Sequence, residues 1–293
     1  MIPMVIYSPL RYPGGKNKIA PYIKQLIKRN CLLDCVYVEP YAGGASVGLS
    51  LLLDEYASKI IINDIDLSLY AFWYSILNQT EQFCKLIEET PVTIETWRYQ
   101  KEKQLNKKNY TLLELGFSTF FLNRVNYSGI IKGGVIGGLK QEGKWKINAR
   151  YNKKDLIKRI KKISLYKNRI EVYNLDAINL IDLIRIKYKK NVLIYFDPPY
   201  YINGKNLYLN YYDNKDHKDL LKEIQKLKVQ NWILTYDNVK QIKTLYSDYR
   251  QRKYSLQYSA NRPNRGEELM IFSNDLHRPK NFLAGISQSL AKY

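Results

Sequence analysis

A chain of 293 residues can bury a sizeable core without covalent staples, and its three cysteines, Cys31, Cys35 and Cys84, show no pattern of pairs, which argues against a disulfide-rich secreted scaffold. The longest apolar runs are strand-sized and the N-terminus lacks the order of a signal peptide, so a soluble, cytoplasmic protein without membrane spans is expected. The formal net charge of +20 suits a polyanionic partner, but a chain rich in Lys, Asn, Ile and Tyr makes distribution more telling than total: 12 basic and 2 acidic residues lie between Lys140 and Arg169.

Along the chain, PLRYPGGKNKI offers an aromatic, two glycines and a lysine ahead of a helix; Tyr12 could stack on a ligand and Lys16 could reach a carboxylate. VYVEP (Val36 to Pro40) reads as a buried strand and ASVGLSLLLDEY as a helix, joined by a glycine-rich turn where a ligand can approach the backbone. KIIINDI (Lys59 to Ile65) is a second strand, placing Asp64 at about the twenty-residue spacing of an acid that accepts from a ribose. Gly43, Gly44 and Gly48 depart from G-x-G-x-x-G, which disfavours NAD but leaves a nucleoside-type cofactor. LSLYAFWYSIL is the next helix. From 81 to 164 the alternation stops, replaced by the polar run QKEKQLNKKN, a glycine-bearing FSTFFLNRVNYSGIIKGGVIGGLK and most of the basic cluster, which reads either as a solvated helical face or as a phosphate-contacting one.

Strands return with IEVYN, NVLIYF and NWILTY; Asp176 follows the first, and the helix DNKDHKDLLKEIQKLK separates the other two. YSLQYSA and EELMIF, split by NRPNRG, predict an antiparallel hairpin on the sheet edge. The fold class expected is therefore α/β, a mostly parallel sheet covered on both faces. Residues 1–80 and 165–293 would form one discontinuous domain, interrupted by a mainly helical insertion at 81–164.

NVLIYF ends in Asp197, followed by Pro198, Pro199 and Tyr200. The prolines fix the backbone and remove two N–H donors, so the Pro198 carbonyl can face a ligand as an acceptor. Asp197 and that carbonyl make an acceptor pair beside the flat face of Tyr200, suited to gripping an exocyclic NH₂ group on a planar base. Taken in order, PLRYPGGK, VEPYAGGAS, NDID and DPPY resemble the N-terminal cofactor motif, Gly-rich motif, ribose-binding acid and catalytic tetrapeptide of the Dam-like, alpha-group DNA adenine N6-methyltransferases. The resemblance covers nearly the whole chain, with the insertion falling between cofactor motifs and DPPY as in that group.

The resemblance implies a Rossmann-like methyltransferase sheet, an inserted DNA-recognition domain, and methyl transfer from S-adenosylmethionine, giving S-adenosylhomocysteine, without a metal. It assigns the cofactor to Tyr12, Lys16, the Pro40–Ser46 turn with Tyr41 and Gly43, Asp64, and Asp176, the last accepting from the cofactor's adenine amine; helix capping is the plainer role for Asp64 and Asp176. Asp197 would touch both cofactor and target amine. In the insertion, Asn123, Arg124, Tyr127 and Gly129 resemble the family's DNA-contacting motif, while Ser128 and Lys132 stand where GATC-methylating relatives tend to carry Asn and Arg, so GATC is not implied. Double-stranded DNA is the expected partner, with the target base rotated out to reach the site, and Tyr201, Tyr211 and Tyr212 border a segment that could close over it or simply pack. A monomer is expected, and a cognate restriction endonuclease acting separately is compatible with the reading. Tetrapeptides like DPPY also serve cytosine-N4, RNA and protein methylation, so cytosine-N4 or RNA methylation stays open beside a catalytically silent DNA-binding homologue.

Overall fold

The computed structural model describes residues 6–11, 16–201, 212–257, 265–279 and 286–287. Its centre is a sheet of β1 (Cys35–Glu39), β2 (Ala57–Asn63), β3 (Ile170–Tyr173), β4 (Val192–Phe196), β5 (Asn231–Asp237), β6 (Arg250–Gln257), β7 (Arg265–Phe272) and the short β8 (Ile286–Ser287). The strand order is β3-β2-β1-β4-β5-β7-β6-β8. The first five strands run parallel, and β7 enters antiparallel between β5 and β6, so the expected hairpin forms and its second strand pairs with the parallel set.

The alternation in each strand divides its side chains between two cores. Tyr37, Ile60, Ile62, Leu193, Tyr195 and Ile233 face one side, where they pack with α1 (Ala20–Arg29), α2 (Ser46–Leu53) and α3 (Leu67–Asn78). Val38, Ile61, Val192, Ile194, Phe196, Trp232 and Leu234 face the other, against α8 (Ala177–Lys187) and α9 (Asn214–Gln225). A sheet covered on both faces is the expected α/β layering, and it explains why these strands read as continuous apolar runs.

Between β2 and β3 the chain adds α4 (Thr80–Glu89), α5 (Ile94–Leu105), α6 (Leu112–Val125) and α7 (Lys153–Ser164). A capping box between Thr111 and Glu114 starts α6. Its Phe117, Phe120 and Phe121 pack into the same core as Phe72 of α3 and Phe83 of α4. Backbones approach so closely there that a Cβ on Gly116 would sit 2.5 Å from the Ala71 carbonyl oxygen. In α7, Leu156, Ile160 and Ile163 are buried while the lysines between them point outward, giving an amphipathic helix rather than a wholly solvated one. Some basic side chains of that region are fixed by the fold: Lys153 donates to the Glu88 and Thr90 carbonyls, and Arg169 pairs with Glu55.

Candidate active site

β1 leads through α2 to β2 on one side, whereas β4 lies on the other side of β1, so the connections diverge at the β1/β4 edge. In such sheets ligands bind outside the carboxyl ends of the strands at this divergence. Asn63, buried at the end of β2, ties that edge together: its Nδ2 donates to the Pro40 and Leu175 carbonyls, and its Oδ1 accepts from the Leu175 N–H. The glycine turn is fixed separately, with Gly43 at φ +48°, Trp73 Nε1 donating to the Gly43 carbonyl and Gly43 N–H donating to Asp64 Oδ2. Burial pushes the Asp64 carboxyl up to about 7 against the N–H bonds from Asp66 and Gly43 that favour its charge. Ser46 opens α2.

A pocket at these strand ends is walled by Pro40, Tyr41, Ile65, Asp176 and Pro199. Asp176 has two placements at once: it caps α8 by accepting from the Ile178 N–H at 2.8 Å, and it lines the pocket. The Tyr41 hydroxyl lies 2.7 Å from that of Tyr212.

Asp197 sits where β4 ends. Its Oδ1 accepts from Thr235 Oγ1 of β5 at 2.7 Å and lies 3.5 Å from Lys16 Nζ. Lys16, only 6% exposed, donates at 2.8 Å to Glu268 of β7 and at 2.5 Å to the Tyr200 hydroxyl, which in turn donates to Glu268 at 2.5 Å. Burial alone would discharge Lys16, but the Asp197 and Glu268 carboxylates outweigh it and hold its pKa well above the ordinary lysine value. Burial raises Asp197, with Lys16 pulling the other way and Glu268 reinforcing the rise.

Of the sequence-predicted residues, Lys16, Asp197 and Tyr200 thus converge in one network, and Pro40, Tyr41, Asp176 and Pro199 line one pocket. Tyr12 and Tyr211 lie outside the described residues. Tyr201 donates its N–H to Asp237 and its hydroxyl to Asn214. The motif at the end of α6 packs against Arg11, just ahead of the N-terminal motif. Asn123 is buried, accepting from the Arg11 N–H and donating to the Arg11 and Gly129 carbonyls at 2.7–2.8 Å. Arg124 donates to the Arg150 carbonyl, and burial beside Arg11 and Arg159 lowers its pKa to about 10. Tyr127 is half exposed, Ser128 has φ +54°, and Ser128 and Lys132 are exposed.

Glu268 and Thr235 lie outside the motifs and Glu39 lies in VEPYAGGAS without being singled out, yet a signal was present. Glu268 shares its strand face with Met270 and Phe272, Thr235 with Ile233, and Glu39 with Tyr37, so each puts a polar group where the two-residue alternation calls for an apolar one. Among the described residues no group of three His, Cys, Asp or Glu is placed to hold a metal, and no helix is long and apolar enough to cross a membrane.

Five parallel strands with helices on both faces, and acids gathered at their carboxyl edge, make a Rossmann-like sheet. The sequence pattern of the D12 class N6 adenine-specific DNA methyltransferases matches residues 12–260, and the chain belongs to that family of enzymes. It is also similar to the type II methyltransferase M.MjaIII of Methanocaldococcus jannaschii, 22% identical over 228 residues that cover 72% of this chain and 74% of the relative. Among solved structures, a dimethyladenosine transferase from Plasmodium falciparum aligns at TM-score 0.35 and 13% identity, covering 90% of this chain and 62% of that one. The putative methyltransferase yhhF from Escherichia coli aligns at 0.35 and 10%, covering 88% and 87%.

Proposed function

We propose that the protein transfers a methyl group from S-adenosylmethionine to the N6 amine of an adenine rotated out of a specific duplex DNA sequence, releasing S-adenosylhomocysteine. One observation carries this reading: Pro199 of the acceptor tetrapeptide lines the same pocket as Tyr41 and Asp176, so a cofactor held there adjoins Asp197. The pocket walls suit a nucleoside: Pro40, Tyr41 and Ile65 offer apolar surface and Asp176 can accept from an adenine amine, while Asp64, bonded to the Gly43 N–H of the glycine turn, is the acid proposed for the ribose hydroxyls. Tyr12, Gly43, Ser46 and Lys16 complete the proposed cofactor contacts.

The bound cofactor supplies an electrophilic methyl carried on a sulfonium. An adenine amine is a poor nucleophile because its lone pair is delocalised into the ring. Asp197 and the Pro198 carbonyl accept from the two amine hydrogens, which turns the lone pair out of the ring plane, and Tyr200 offers its face to the base. With the cofactor bound, its methyl would pass to the nitrogen that Asp197 and the Pro198 carbonyl hold, and the amine would give up one of its two protons to solvent. Orientation and charge placement carry the rate, and no metal is required.

Rotating the base out costs a few kcal/mol, which the DNA surface must supply. Half-exposed Tyr127 suits a wedge into the stack, exposed Ser128 and Lys132 suit phosphate or base contact, Arg124 would join them on releasing the Arg150 carbonyl, and Asn123 contributes by clipping the Arg11 segment to the Gly129 turn. The enzyme acts as a monomer in the prokaryotic cytosol or nucleoid, and the type II name of its relative favours a separate cognate endonuclease. Incubation with unmethylated duplex DNA and labelled cofactor, followed by nucleoside analysis, should give N6-methyladenine. Methylcytosine, or product from RNA alone, would overturn the reading; sequencing of modified DNA from a methylation-deficient host then gives the site.

A further inference from the structure

Three charged side chains meet beside the acceptor tetrapeptide, and the proposed function uses Asp197 as an acceptor and Lys16 as a cofactor contact but gives Glu268 no part. Glu268 lies on β7 opposite Asp237 and is 2% exposed. Its Oε1 accepts from the Tyr200 hydroxyl; its Oε2 accepts from Lys16 Nζ and from the Tyr254 hydroxyl. A carboxylate so deeply buried is costly unless every lone pair is used, and here its partners come from the N-terminal turn, the tetrapeptide and β6.

The distances show how Lys16 divides itself. It is 2.8 Å from Glu268 and 3.5 Å from Asp197, so Glu268 takes the hydrogen bond and Asp197 keeps only a longer ionic contact. Resting on the reading that Asp197 accepts from the target amine, we infer that Glu268 is a positioning residue for methyl transfer, holding Lys16 and Tyr200 so that the Asp197 carboxylate is left to the substrate. Without Glu268, a buried ammonium would have Asp197 as its one carboxylate among these contacts and would draw it into a close ion pair. The same three groups also set the charge of the site. Lys16 with Asp197 is neutral; adding Glu268 leaves one net negative charge, which matches the single positive charge that moves from sulfur to nitrogen. Tyr200 is fixed from its hydroxyl end, so its ring is placed before any base arrives.

The test is Glu268→Gln, which keeps size and a hydrogen-bond acceptor but removes the charge. In single-turnover methylation of duplex DNA its rate should fall about 10- to 100-fold, the scale of a misplaced catalytic group and a larger loss than any in cofactor affinity measured by calorimetry. A structural lesion alone would not move the second readout, the pH profile. Asp197 is faced by Lys16 from the N-terminal turn, Glu39 of β1, Tyr195 and Tyr200 around β4, Tyr236 of β5 and Glu268 of β7. Removing the Glu268 charge makes Asp197 easier to ionise, so the acid limb of the rate should shift to lower pH. Gln still accepts from the Tyr200 hydroxyl, so the charge effect runs through Lys16: Lys16→Met/Glu268→Gln should be no slower than Lys16→Met, and this neutral pair keeps the question answerable if the single variant folds poorly. An active wild type with an unaltered rate and acid limb in Glu268→Gln, or additive losses in the double variant, overturns the role of Glu268 alone. A wild type that forms no methyladenine defeats the functional reading, and this inference with it.

Discussion

Asp197 is held at the end of a buried strand by a single threonine hydroxyl and a lysine at ionic distance, a placement that fixes its direction without exhausting it. Asp197→Ala should abolish methyl transfer in a radiolabel assay while thermal melting stays near wild type; undiminished transfer would defeat the acceptor mechanism. Since burial raises Asp197 and only its charged form accepts twice, the rate should fall with acidification at a pH above the ordinary aspartate range. Glu39 extends the argument to stability. Burial pushes its carboxyl up to about 8, outweighing the Gly48 N–H that donates to it at 2.9 Å. Between its ordinary value of 4.5 and about 8 the unfolded chain has lost a proton that the folded chain keeps. Stability is therefore fully present below that window and drains away as pH rises through it, by on the order of 5 kcal/mol. Glu39→Gln removes the titration. Melting at pH 6 and pH 9 should show the wild type losing more than the variant, and equal losses would refute a neutral Glu39.

At the scale of elements, the contact that matters is α6 on α3, because α6 carries Asn123 and Arg124 at its far end. Gly116→Ala gains helix propensity of about 1 kcal/mol, but the new Cβ meets the Ala71 carbonyl oxygen at 2.5 Å. Both groups sit in packed helices, so overpacking should win by roughly 1–3 kcal/mol, seen as a lowered denaturant midpoint. A stabilised variant would mean the helices can slide apart. Much of this architecture was legible locally: VLIYF announces a two-sided strand, and DPPY and the Gly-rich turn sit where strand ends place them. The network around Lys16 was not, because Lys16 and Glu268 are separated by most of the chain and meet only through the insertion of β7 beside β5. Asn123 illustrates the same limit. The family resemblance implies a DNA-contacting role for it, and its amide also bonds the backbones of Arg11 and Gly129, a long-range clip that no local pattern encodes.

For the whole molecule, the charge of +20 is a statement about association, and the structure separates basic side chains that are anchored from those that face solvent. Lys153 is held by the Glu88 and Thr90 carbonyls, and Arg169 by Glu55 and the Ala57 and Ser58 carbonyls. Lys132, Lys140 and Lys144 are exposed in the same stretch of chain as the half-exposed Tyr127 and exposed Trp145. If that face meets the duplex, each such lysine neutralises a phosphate and releases counterions, contributing about 0.9 to the slope of log affinity against log salt. Replacing all three with alanine should flatten the slope by between two and three, measured by fluorescence anisotropy across a salt series. Lys153→Ala should leave it nearly unchanged, because that ammonium is already committed to carbonyls. The reverse result would move the DNA to the α7 side of the insertion. That comparison decides which face carries the address, since total charge is the same argument for both.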